Sequence, residues 1–154
     1  MKFEVLNTRR EAAFELLKKT KIEVAPETYS LISLKHEDWK RLLENPELSP
    51  RGDAPFLLLQ DKYEVTLLLD QIDLNTVSHA IRDAKIERGW RLVTFDLTLD
   101  WNVVGYFALI AEILAAAEIP FAALSAFSRD HLLIKQDDLA NALKVLGEYV
   151  AELC

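Results

Sequence analysis

Cysteine is almost missing from this sequence: Cys154, the last of 154 residues, is the only one. A lone cysteine closes no internal disulfide, and a reducing, cytoplasmic setting is the expectation. Glycine is scarce as well, with four residues, and no glycine-rich phosphate loop occurs. The three histidines, His36, His79 and His131, have no standard metal-ligand spacing. Neither a metal nor a cofactor is expected. Basic residues form no dense stripe beyond the pairs Arg9-Arg10 and Lys18-Lys19, and the net charge is -7. That balance excludes nucleic acid and anionic membrane surfaces as partners. The longest apolar run, Val103 to Ala117, is shorter than the roughly 20 residues needed to span a bilayer, and Glu112 interrupts it. Charged residues break up the first fifteen positions, so no signal region is expected there.

What remains is a globular composition, 51% hydrophobic and 28% charged. A chain of this length buries roughly two thirds of its unfolded surface. Residues 8 to 19 have helical spacing, with Thr8 and Glu11 placed as a capping box. Lys21 to Val24 reads as a short strand. From Tyr29 the order is strand (to Leu34), helix (His36 to Glu44), two strands (Phe56 to Leu59, Glu64 to Leu69) and helix (Leu74 to Ala84). After Glu87-Arg88-Gly89 the order repeats: strand Trp90 to Leu99, helix Val103 to Glu118, strands Phe121 to Phe127 and His131 to Lys135, helix Asp137 to Leu153. Val93, Phe95, Leu97 and Leu99 alternate with Thr94, Asp96 and Thr98. That pattern predicts sheets covered by helices on one face. The expected fold is α+β: two βαββα halves of ferredoxin-like type, with an extra N-terminal helix. The expected segments are 1–20, 21–86 and 87–154. Lys21 to Val24 is available to complete one half, the second if it crosses over.

The run Glu87 to Leu146, and within it Ser125-Ala126-Phe127-Ser128-Arg129-Asp130-His131-Leu132-Leu133-Ile134, resembles the second half of small stand-alone tandem ACT proteins of bacteria. The same signature occurs in the CASTOR-type ACT domains. Lys21 to Leu34 with Phe56 to Asp70 is similar to the first half of those proteins. The sequence departs from the pattern at Ala126, where a hydroxyl residue is usual, and at Arg129, which adds a cation. The resemblance implies binding of an amino acid or similar metabolite at an interface, a regulatory role, and a homodimer.

Two loops are the candidate ligand site. Asn102, Val103, Val104 and Gly105 lie where a helix begins, and free N–H groups there suit a carboxylate. Ser125, Ala126, Phe127 and Asp130 belong to a hairpin turn, where the Asp130 carboxylate suits an ammonium or guanidinium group. Each has a structural alternative. Asp130 is equally a turn residue, Gly105 equally a packing residue, and Asn102 equally a helix cap. Cys154 is poorly placed for a nucleophile, and Arg51-Gly52-Asp53 reads as a loop coincidence. No enzyme is expected. The alternative function is a protein-interaction or dimerisation module without a small ligand.

Overall fold

A computed structural model describes residues 2–154, with side chains from Thr8 onward. The elements in order are α1 (Lys2–Leu17), β1 (Lys21–Val24), β2 (Tyr29–Leu34), α2 (His36–Leu43), β3 (Leu57–Gln60), β4 (Val65–Asp70), α3 (Gln71–Val77), β5 (Lys85–Asp96), α4 (Tyr106–Ala116), β6 (Phe121–Ser125), β7 (Asp130–Lys135), α5 (Leu139–Gly147) and β8 (Glu152–Leu153). Short 3₁₀ turns at Pro46–Leu48, Ser78–Ala80 and Gln136–Asp138 link them. None of the described helices is long and apolar enough to cross a membrane.

The backbone forms two compact units, one of Pro26–Trp90 and one of Arg91–Cys154 with the residues up to Ala25. In the first, the strands lie in the order β3-β4-β2-β5, the ferredoxin-like arrangement. Ile32, Leu34, Val65, Leu67 and Leu69 face one way, and Leu42 of α2 and Leu74 and Val77 of α3 cover them. In the second unit β6 pairs β7, β7 pairs β5, β5 pairs β1, and β1 pairs β8. Ile22, Val93, Phe95, Leu132 and Ile134 present the apolar face, and α1, α4 and α5 bury it through Ala13, Leu17, Ile110, Leu114, Ala142 and Leu146. The fold is α+β with two ferredoxin-like repeats and helices on one face of each sheet.

Strand β5 belongs to both units by sequence. Its first part pairs β2 and its second part pairs β1. Between these, Tyr29↔Trp90 and Leu31↔Glu87 leave one extra residue on β5, and Gly89 sits at φ +80°. A bulge with a glycine in the left-handed region lets the strand continue. Glu87-Arg88-Gly89 is therefore a bulge inside a strand that starts at Lys85. Strand β1, grouped with residues 21–86 by sequence order, runs antiparallel to β5 opposite Val93–Asp96 and supplies the fourth strand of the second unit.

Several element ends differ from expectation. The helix containing Thr8 and Glu11 begins at Lys2, so their spacing lies inside a helix rather than at its start. The helix expected from Val103 begins at Tyr106. The last helix stops at Gly147, and Glu152–Leu153 turns into a strand parallel to β1. The apolar α4 is covered partly from within its own unit: α1 packs on it through Ala13 and Leu17, and Arg10 bridges to Glu112 at 2.8 Å.

Candidate functional site

The two units differ at the turn that follows their first strand. In the Pro26–Trp90 unit a single residue, Lys35, separates β2 from α2, and His36 Nε2 lies 2.7 Å from the Asp61 carbonyl of the adjacent hairpin. In the other unit residues 97–105 separate β5 from α4. The chain leaves the strand sharply, with the Leu97 N–H donating to the Phe95 carbonyl at 2.9 Å, and turns again where the Val103 N–H meets the Asp100 carbonyl at 3.0 Å. Gly105, at φ +89°, then sends it into α4. A side chain there would be strained, because this region is open mainly to glycine. The Leu99 N–H donates to the Ser128 carbonyl at 3.1 Å and ties the loop to the β6–β7 hairpin.

The long loop and the hairpin enclose a cavity of about 250 Å³. One wall is the start of α4, Gly105 to Ala108. No side chain caps that helix, so its first N–H groups and their partial positive charge are available to a ligand anion. The other wall is Ser125 to Asp130. Asp130 Oδ1 accepts from the Ser125 hydroxyl at 2.8 Å, across the closing pair of the hairpin. Arg129 does not add a loose cation: its Nε donates to Asp96 Oδ1 at 2.7 Å and its Nη1 to Ser128 Oγ at 3.2 Å. Trp101 and Phe127 meet edge to face at 5.3 Å, and both remain largely exposed, at 78% and 82%.

Tyr106 forms the floor. Its hydroxyl is buried 2.7 Å from Thr20 Oγ1, which donates to the Leu16 carbonyl at the end of α1. Burial pushes the Tyr106 phenol up to about 12, against the Thr20 hydrogen bond and with help from the Asp130 carboxylate. Next to the hairpin, on the sheet face without helices, His131 Nδ1 lies 2.9 Å from Thr94 Oγ1. Burial holds this imidazole below its usual range. The Asp130 carboxylate pulls the other way, and Arg129 adds to the depression.

Of the eight residues expected at the site, Val103, Gly105, Ser125, Ala126, Phe127 and Asp130 line this one cavity. Asn102 is exposed and does not cap α4, whose cap position is Gly105. Val104 lines a second cavity, between α1 and α4. Tyr106 and Trp101 also line the hairpin cavity; the sequence places both in the loop that carries the site, Asp100 to Tyr106, but singles out neither as a ligand contact. Trp101 in a loop between polar neighbours was the available signal. In the other unit, the buried Asp70 and Asp73 hold Arg51, the first residue of the Arg51-Gly52-Asp53 loop.

A family model described as the ACT domain matches residues 85–148, from β5 to the end of α5. This stretch is what resembles an ACT domain in sequence. Its match ends before β8, and the fourth strand of the ACT fold comes from β1 at the other end of the sequence. Solved structures resemble nearly the whole chain. A protein from Agobacterium tumefaciens is 17% identical, with a TM-score of 0.66 over 88% of this chain and 92% of that one. A Vibrio cholerae protein of unknown function is 20% identical, with a TM-score of 0.65 over 91% and 98%. The regulatory subunit of aspartate kinase from Thermus thermophilus is 10% identical, with a TM-score of 0.58 over 86% and 98%. At these identities the likeness is one of fold alone: a tandem ferredoxin-like arrangement that includes the Pro26–Trp90 unit. Among curated proteins, none matches the sequence.

Proposed function

We propose that this chain is a regulatory ACT protein that binds an amino acid or similar metabolite in the cavity between residues 97–105 and the Ser125–Asp130 hairpin. One observation carries the reading. A single small cavity is walled by an uncapped helix start on one side and by the Asp130 carboxylate on the other. An amino acid brings a carboxylate for the first and a cationic group for the second. The structural neighbours support a regulatory role. The chain aligns with 98% of a kinase regulatory subunit but with only 34% of the Clostridium acetobutylicum aspartate kinase, described as an allosteric enzyme, and 32% of Escherichia coli aspartokinase III, solved with aspartate and ADP. What it shares with those enzymes is fold over about a third of their length, and no catalytic role is assigned to it.

The test is a thermal melt across a panel of amino acids. A true effector at a hundredfold excess over its Kd stabilises by about 2.7 kcal/mol and raises the melting temperature visibly. A flat response to every amino acid would overturn the reading. The exposed Trp101–Phe127 pair favours a second reading, an interaction or homodimer surface without a small ligand. A stable dimer in light scattering, lost in Trp101→Ser and unchanged by any amino acid, is the result that reading requires.

A further inference from the structure

The cavity between α1 and α4 measures about 480 Å³, within the range of small-molecule sites. Its apolar wall belongs to α4 and the residues before it: Val104, 54% exposed, with Ala108 and the buried Leu109. Its charged wall is Arg9 and Arg10 from α1 and Glu112 from α4. Arg10 is occupied, since its Nη2 donates to Glu112 Oε1 at 2.8 Å while its guanidinium lies 6.0 Å from the centre of the Phe14 ring. That bond neutralises Glu112. Arg9 has no ion-pair partner among the described residues. The cavity thus carries one uncompensated positive charge in a chain whose net charge is -7.

Three ligand types fit this wall poorly. A cation meets Arg9, a dianion finds only one uncompensated cation for its two charges, and a neutral apolar molecule leaves the guanidinium without an acceptor. An amphiphilic monoanion matches every part. We infer that the α1–α4 groove is a second binding site, for a small carboxylate with an apolar body, its head on Arg9 and its body on Val104 and Leu109. The Arg9 fork can take a carboxylate through two parallel hydrogen bonds. An exposed pair of this kind is weak by itself, so the apolar contact must supply much of the affinity and the charge must supply the selectivity. Gly105 and Ala108 line both cavities, but Asp130 and the hairpin take no part in this one, so substitutions at Arg9 and at Asp130 tell the two sites apart.

Calorimetric titration of the full chain with octanoate, octanol and octylamine tests this, because the three have eight carbons each and carry negative, neutral and positive heads. Octanoate is expected to bind tightest and octylamine weakest, with rising salt weakening octanoate alone. Arg9→Glu should reverse the order of octanoate and octylamine. Val104→Glu, which adds a negative charge to the apolar wall, should weaken octanoate by roughly tenfold or more. Asp130→Ala should leave octanoate binding intact. Circular dichroism establishes that each variant is folded, and Arg9→Gln serves where Arg9→Glu is not. Equal affinity for all three probes, or no saturation by any, overturns the inference. So does octanoate binding that survives Arg9→Glu but is lost in Asp130→Ala, which would place the probe in the hairpin cavity.

Discussion

Asp130 begins β7 with one carboxylate oxygen held by the Ser125 hydroxyl, and it lines the hairpin cavity. Both readings of this residue can therefore be separated by one substitution. As a ligand group it is half of a charge-assisted pair, and removing one member of such a pair typically costs about 2–5 kcal/mol of binding. As a hairpin residue it contributes one side-chain hydrogen bond, worth roughly 0.5–1.5 kcal/mol of stability. Asp130→Ala should weaken effector binding far more than tenfold while lowering the melting temperature only slightly. Unchanged affinity beside a large loss of stability would leave Asp130 as a structural residue. Its neighbour His131 gives a pH signature. The folded protein keeps this imidazole below its usual pKa, mainly by burial, so below about pH 6.5 the unfolded chain binds more protons than the folded one. The stability His131 confers is complete above that value and is lost as pH falls through the folded pKa. Melting temperatures should drop on acidification, and His131→Gln should flatten that part of the curve. An identical slope in the variant would assign the drop to other groups.

The elements differ in how openly the sequence announces them. Val65, Leu67 and Leu69, and later Val93 and Phe95, alternate with polar or outward residues, and these are the residues that face the helices. A period of two is a local signal, so the succession of strands along both repeats was legible, whereas the strand that completes each sheet was not. The start of α4 was not. Val103 and Val104 continue its apolar run, but the left-handed turn at Gly105 sets where the helix begins, and that depends on how the long loop closes onto the hairpin. The end of α5 failed similarly: Val150 continues a helical stripe, yet Glu152–Leu153 pairs with β1, more than a hundred residues away in sequence. No local pattern encodes such a pairing. The site was legible to the extent that its loops carry unusual residues, Gly105 and Asp130, and illegible where tertiary placement decides, as for Tyr106 and Val104.

Arg51 is an element-scale device that the sequence hid inside a familiar tripeptide. Its Nε reaches Asp73 at 2.9 Å and its Nη2 reaches Asp70 at 2.5 Å, so it fastens the segment entering β3 to the start of α3. Both carboxylates are buried at 4% exposure, and Asp70 also caps α3 through the Asp73 N–H at 2.8 Å. Hydrogen bonding to Asp73, and the charge of both acids, holds the Arg51 guanidinium above even its usual range. Removing the cation leaves two buried carboxylates uncompensated. Arg51→Ala should lower the melting temperature by several degrees. Arg10→Ala, which breaks the exposed pair with Glu112, should change it little. Arg51→Lys should recover only part of the loss, because an ammonium cannot span both acids as the planar fork does. Equal effects of Arg51→Ala and Arg10→Ala would refute the clasp.

At the scale of the whole molecule, the second unit is assembled from two ends of the sequence. Ile22 of β1 is fully buried against the sheet of β5 and β7, and Ala13 and Leu17 of α1 close the core over α4. The Ala151 N–H donates to the Thr20 carbonyl at 2.8 Å, and the Cys154 N–H donates to the Ile22 carbonyl at 2.7 Å. A fragment of residues 87–154 keeps all but the first two residues of the stretch that the ACT domain model matches, yet loses every one of these contacts. It exposes the edge of β5 that β1 covers, and an unpaired apolar edge is a template for aggregation. At that size a core has little stability to spare. The fragment alone should be poorly folded, without a cooperative melt. Adding a peptide of residues 1–25 should restore one, because the peptide supplies the fourth strand and the α1 cover together. A peptide with Ile22→Asp should fail, since its charge falls among Val93, Phe95 and Ile134 in the core. The measurement is the near-ultraviolet circular dichroism of the mixture, which reports fixed packing around Tyr106 and around Tyr149, whose ring lies 5.9 Å from that of Phe14 in α1. A fragment that folds cooperatively without the peptide would show that the crossing strand is an ornament of the second unit and not a part of it.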